Sequence, residues 1–140
     1  MDTWDLQRFV TAQDSGRTWE RALAEIRNGR KVSHWMWFVF PQLAALGRSS
    51  TATFYGLSGL PEAVAYLAHP VLGPRLSECT RAVLALSDTP ELVFGPVDAM
   101  KLRSCMTLFA AAAPTDPGYP GVLNRFYDGV PDPVTVDLLG

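Results

Sequence analysis

The sequence predicts an all-α fold: a single compact domain, residues 1–140, of six to seven helices, several of them short, around a central helix near residues 97–113. Three observations carry this expectation. Apolar residues recur at steps of three and four along most of the chain. Proline and glycine stand at most of the boundaries between such stretches. Outside one aromatic run, only Glu91 to Phe94 and Val134 to Val136 look like strands, too little for a stable sheet. A chain of 140 residues can bury about two thirds of its unfolded surface, so its core needs no disulfide.

The elements follow in order. Leu6, Phe9, Val10 and Gln13 form one helical stripe, which Asp14-Ser15-Gly16 breaks. Thr18 can cap a second helix, with Trp19, Ala22, Leu23 and Ile26 inward, Glu20, Arg21, Glu25 and Arg27 outward, and Asn28-Gly29 as its left-handed stop. Arg30-Lys31 leads into the densest apolar stretch, where Trp35, Trp37, Phe38 and Phe40 are interleaved with Met36 and Val39. Ser33 can cap this piece, and Pro41 disfavours helix at Phe40. Its periodicity suits helix or buried strand equally; with so few strand partners elsewhere, helix is the expectation. Gln42 to Leu46 and Ser49 to Tyr55 read as single turns in a wrapped loop.

Leu60-Pro61-Glu62 opens a helix with proline in its first turn, carrying Ala63, Val64 and Leu67 inward and ending at His69-Pro70. After Gly73-Pro74, Leu72, Leu76, Cys79, Val83 and Leu86 mark the clearest amphipathic helix, stopped by Asp88-Thr89-Pro90. A one-turn piece, Glu91 to Phe94, precedes Gly95-Pro96 and the long helix. Asp98 lies near that helix's positive end. Leu102, Met106 and Phe109 on one side and Cys105, Leu108 and Ala112 on another make it apolar almost all round, as a central helix should be. Beyond Pro114 come a helix with Val122, Leu123, Phe126 and Tyr127 and a last turn that Asp132 can cap ahead of Pro133.

Composition narrows the function classes. With 12 basic and 14 acidic residues the net charge is −2, which offers no electrostatic footprint for nucleic acid or an anionic membrane. The aromatic run is too short to span a bilayer, and the acidic start Met1-Asp2-Thr3-Trp4-Asp5 is unlike a secretory signal, so a cytoplasmic protein is expected. Cys79 and Cys105 read as buried free thiols. Two histidines with scattered carboxylates do not make a metal site, and neither a phosphate loop nor a dinucleotide fingerprint is present, so neither metal nor cofactor is expected.

The candidate site residues lie in and opposite the aromatic run. His34, beside Trp35 and Trp37, reads as a general base or orienting donor at the mouth of an aromatic pocket, or as a capping histidine. Of Trp35 and Trp37, only one should face a cleft. The Gln42 amide can read a ligand's polar edge or tie down a loop. His69 reads as a helix-end residue interacting with the dipole. Lys101 shares a stripe with Ser104 and Leu108 on the apolar helix, so it must snorkel, find Asp98 or face a cleft. The most apolar run and the most apolar helix are each other's expected packing partners, which brings His34 and Lys101, the two catalytic candidates, to one cleft.

Two functional classes emerge. One is a domain that binds a small polar or anionic metabolite, nucleotide-like among the options, with Lys31, His34, Trp35, Trp37, Gln42, Lys101 and Ser104 lining an aromatic, cation-rimmed cleft. The other is a protein-interaction module, monomer or homodimer, that uses the aromatic face without catalysis.

The block from Arg30 to Leu43 resembles the signature of a bacterial family, domain of unknown function 1810. Phe9 to Gln13, Glu62 to Leu76, Asp98 to Phe109 and Gly129 to Thr135 also resemble its blocks, so the likeness spans nearly the whole chain. It implies a compact, mostly helical fold and brings no activity or catalytic residue with it. Some relatives carry the label calpastatin, but this composition lacks an extended, repeated inhibitor character. Cys105 stands where the family pattern has a second serine, which speaks against a serine-pair role.

Overall fold

Every residue of the first predicted stripe, Leu6, Phe9, Val10 and Gln13, is buried in the computed structural model, which describes residues 2–140. The stripe belongs to α1 (Gln7–Asp14). A 3₁₀ turn at Ser15–Arg17, with Gly16 and Arg17 both left-handed, redirects the chain into α2 (Thr18–Arg27). Thr18 does not cap α2. It is the first helical residue, and its hydroxyl donates back to the Ser15 carbonyl. The stop at Gly29 is left-handed as expected, with φ of 75°.

The aromatic run is helical over only one turn, α3 (Met36–Val39), and ends before Pro41. A 3₁₀ turn (Ala44–Leu46) and α4 (Ser50–Phe54) form the wrapped loop. The remaining helices are α5 (Leu60–Ala68), α6 (Leu72–Leu84), α7 (Pro90–Phe94), α8 (Pro96–Ala112), α9 (Gly118–Phe126) and α10 (Pro133–Leu139). Proline occupies the first turn of α5, α7, α8 and α10, where its missing N–H costs no helical bond. Asp132 caps α10 by accepting from the Thr135 N–H at 2.9 Å, and so the strand-like Val134 to Val136 is helical. Among the described residues, the β-type pairing is the isolated bridge between Leu43 and Leu57.

The core is one contiguous cluster around α8. Leu102, Cys105, Met106, Leu108 and Phe109 are fully buried, and α5, α7, α9 and α10 pack on this helix. The predicted inward face of α5 needs correction, because Val64 is exposed while Glu62, Ala63 and Tyr66 are buried. Glu62 is turned inward by Arg8, which it meets at 2.9 Å. α6 starts one residue before the Gly73-Pro74 pair, and at Gly73 a β-carbon would stand 2.1 Å from the Leu67 carbonyl oxygen. Only glycine permits the approach of α5 to α6 there. α5 ends at His69 as expected, with its backbone N–H donating to the Tyr66 carbonyl, but its side chain serves the next helix: Nδ1 accepts from the N–H groups of Val71 and Leu72 at the start of α6.

Glu25 fixes the approach to the aromatic run. The helical pattern places it outward on α2, yet its carboxylate accepts from the Val32 N–H (2.7 Å), the Ser33 N–H (3.0 Å), the Ser33 hydroxyl (2.5 Å) and the Trp35 indole N–H (2.9 Å). Ser33 therefore serves Glu25 rather than capping α3, whose N-cap position is held by Trp35. Burial pulls the Glu25 carboxyl upward, but these donors outweigh it and bring its pKa from 4.5 to about 2.

Two outcomes are expected. Phe109→Ala should cost about 3–5 kcal/mol in a denaturant titration, as the loss of a fully buried ring does; a cost under about 1 kcal/mol would place α8 at the surface. Because folding depresses the Glu25 pKa, its contribution to stability is present above about pH 4.5 and fades as pH falls toward 2. In thermal melts Glu25→Gln should therefore lower Tm at pH 7 and converge on the parent protein in acid.

Candidate functional site

The linker after α2 and the first turn of α8 meet at Asp98. The backbone N–H of Lys31 donates to the Val93 carbonyl at 2.8 Å, tying the linker to α7. The Lys31 ammonium then donates to the Ser33 carbonyl at 2.8 Å and pairs with Asp98 Oδ2 at 3.0 Å. It also lies 5.0 Å from the centre of the Trp35 ring. Lys101, one turn along α8 from Asp98, pairs with its Oδ1 at 2.9 Å and sits 3.8 Å from the centre of the Trp37 ring. Both ammonium groups thus combine a carboxylate with an aromatic face, an arrangement that holds a lysine in place at low exposure. Burial raises the Asp98 pKa, and the two lysines more than reverse this, so it lies below the usual carboxylate range.

Lys31, His34, Trp35, Met36, Trp37, Asp98 and Lys101 line one recess of about 70 Å³. Of the residues the sequence points to, it brings together Lys31, His34, Trp35, Trp37 and Lys101. Both tryptophans line it, against the expectation that only one would face a cleft, because Trp35 precedes the helical turn α3 and is not bound by its spacing. Trp35 is wholly buried and packs on Phe40 and Phe94 at 6.2 and 6.0 Å, whereas Trp37 is partly exposed. His34 is exposed, with no hydrogen bond among the described residues that would make it a capping group.

Gln42 and Ser104 do not line the recess. The Gln42 carbonyl accepts from the Leu57 N–H at 2.9 Å, which makes this residue part of the wrapped loop. Ser104 is buried, its hydroxyl donating to the Met100 carbonyl one turn back at 3.1 Å. A stripe position beside Lys101 says only which side of α8 a residue occupies, not how far along the helix the recess extends. Conversely, the sequence reading passed over Asp98 as the shared counter-ion of Lys31 and Glu25 as the clamp on Ser33 and Trp35. The i, i+3 spacing from Asp98 to Lys101 is a legible signal; the pairing with Lys31 crosses the fold and has none.

The cysteines take no part. Burial pushes the Cys79 thiol up to about 12 and holds Cys105 well above its ordinary value, so neither offers a thiolate nucleophile. Among the described residues no three of His, Cys, Asp and Glu gather as metal ligands, and no helix is long and apolar enough to cross a membrane. A larger depression, about 540 Å³, opens between the ends of α2 and α6, lined by Arg27, Glu78, Arg81 and Asp88 over Ile26, Ala82 and Leu86. It holds none of the residues to which the sequence points.

The crystal structure of the conserved hypothetical protein Rv1873 from Mycobacterium tuberculosis is similar to this chain, with a TM-score of 0.95 and 49% sequence identity over 99% of this chain and 98% of that one. None of the curated proteins compared with the chain matches it. The family described as "Protein of unknown function (DUF1810)" matches residues 3–139, and the chain belongs to that family.

Proposed function

We propose that this protein is a one-domain cytoplasmic binding protein whose recess takes one anionic group, a carboxylate or a phosphate, of a small metabolite. The observation that supports this reading is the charge balance at Asp98. Two ammonium groups share a single carboxylate, leaving one net positive charge among Lys31, Asp98 and Lys101. An incoming anion would complete the set with charge-assisted hydrogen bonds from lysine donors already held in position.

Size limits what enters. A recess of about 70 Å³ is well below the roughly 300–1,000 Å³ of pockets that enclose a whole ligand, so only the charged group would be seated. The remainder of the molecule would lie against the exposed part of Trp37, with the His34 imidazole as a donor or acceptor for a polar edge. A planar body, as in a nucleotide, suits that indole surface.

Tryptophan fluorescence reads the site directly, since Lys101 contacts Trp37. At low protein concentration, titration with sulfate, citrate and adenosine monophosphate should produce a saturable change for at least one of them. Lys101→Met should weaken that binding about tenfold or more, with Tm little changed, because partly exposed ion pairs contribute on the order of 1 kcal/mol or less. Absence of a saturable response to all three in the parent protein would overturn the reading. A Lys101→Met protein that unfolds would instead assign the lysine to structure.

A further inference from the structure

The fold also places a carboxylate and an apolar surface where a second copy of the chain would use them. Along α8, Met100, Arg103 and Thr107 form one stripe. Arg103 Nε and Nη2 donate to the carbonyls of Val130 (3.0 Å) and Pro131 (3.1 Å), and Thr107 Oγ1 accepts from the Asp132 N–H at 2.9 Å. The tail therefore follows this stripe from the middle of α8 toward its C-terminal half, and α10 continues from it. The N-terminal half of the stripe is left uncovered.

The two halves carry complementary groups. At the N-terminal end Val97 and Met100 are 65% and 70% exposed and stand beside Lys101, at spacing i, i+3, i+4. On α10, Val134 and Leu138 are 53% and 49% exposed and stand beside Asp137 at the same spacing. Val97 and Met100 share one face of α8, and Val134 and Leu138 share one face of α10, where Val136 is exposed on another. The charge at one end is the net positive cluster of Lys31, Asp98 and Lys101; the other end has Asp137, whose carboxylate has no ion pair or side-chain hydrogen bond among the described residues.

We infer that two copies of this chain pair antiparallel about a two-fold axis near Arg103, each placing its Asp137 at the Lys101 rim of the other and its Val134 and Leu138 against Val97 and Met100. An antiparallel pairing sets each N-terminal half against the partner's tail-covered half, so the contact occurs twice and the assembly closes at two. The inference rests on the proposed anion recess and names a partner for it: the Asp137 carboxylate occupies the site that a small anion would otherwise fill. Dimerisation and anion binding then exclude one another, and a metabolite anion would act as a dissociating ligand.

Sedimentation velocity of the full chain, across about 5–500 µM at low salt, tests this. The parent protein should move from monomer to dimer over that range, and sulfate should shift it back. Asp137→Lys and Met100→Ser should each weaken the dimer about tenfold or more, and Lys101→Glu combined with Asp137→Lys should recover most of the affinity that either reversal loses alone. Circular dichroism melts identify any variant that fails to fold; Met100→Ser, on an exposed side chain, leaves the test standing without the charge variants. A parent protein that stays monomeric throughout, or a dimer indifferent to both Asp137→Lys and Met100→Ser, would overturn the pairing. The two ideas fail separately: a monomeric parent that binds sulfate sinks the dimer alone, whereas an Asp137→Lys monomer that ignores sulfate, citrate and adenosine monophosphate sinks the anion site and the inference built on it.

Discussion

A helix that is apolar on nearly every side must be covered on nearly every side, and α8 imposes that constraint on the rest of the chain. From Leu102 to Phe109 its residues are buried, with the partial exception of Arg103, which the tail covers through hydrogen bonds. The α5, α7 and α9 helices each give an apolar face to it, and α10 packs on it with Thr135 as its buried residue. Tyr66 and Tyr119 extend the packing as tilted rings 5.4 and 5.8 Å from Phe109. The central helix thus gathers surface that short flanking helices could not bury by themselves, since helices of one or two turns have little stability outside tertiary contacts.

Dense aromatic packing leaves polar groups that must be satisfied inside, and three nodes do this. Arg8 uses all five of its N–H donors, on the carbonyls of Trp4, Asp5, Phe54 and Gly56 and on Glu62, joining the N-terminal turn, the wrapped loop and α5. Gln13 donates to the Phe38 carbonyl and the Tyr66 hydroxyl while accepting from Arg75, which ties α1 to the aromatic run, α5 and α6. Glu25 gathers four donors from the linker. Each node crosses between elements distant in sequence, and each would leave buried unpaired groups if broken, which is why such networks select one arrangement of the helices.

The recess at Asp98 differs from the Arg8 node in carrying a surplus positive charge. Arg8 meets one carboxylate with one guanidinium, whereas Asp98 faces two ammonium groups at the protein surface, beside a partly exposed indole. A surplus cation held by two aromatic faces and a shared carboxylate is organised without being neutralised, the state that favours capture of an anion. Both the small-anion reading and the pairing through Asp137 draw on this same surplus. The buried thiols, by contrast, are packing groups.

Much of the fold was legible because it rests on local rules. Helical periodicity located the stripes of α1, α2, α6 and α8, and first-turn prolines, Gly29 and Asp132 marked boundaries through backbone geometry that a few adjacent residues determine. His34 and Lys101 do line one recess, although the aromatic run packs chiefly on α1 and α8 chiefly on α5, α7 and α9, so the two most apolar pieces are not each other's main partners. What escaped were groups whose partners lie elsewhere in the fold. Glu25 looked solvent-facing until the linker folded back over it, Glu62 marked only the opening of α5 until Arg8 reached it, and His69 read as a residue of the end of α5 until α6 began beside it. Charged and polar side chains go where their partners are, and partners brought together by packing leave no spacing in the sequence. The sequence by itself therefore determined which segments are helices and which of their faces are apolar; only the tertiary structure decided which polar groups meet, and with them that Lys31 and Lys101 share Asp98 while Gln42 and Ser104 stand apart.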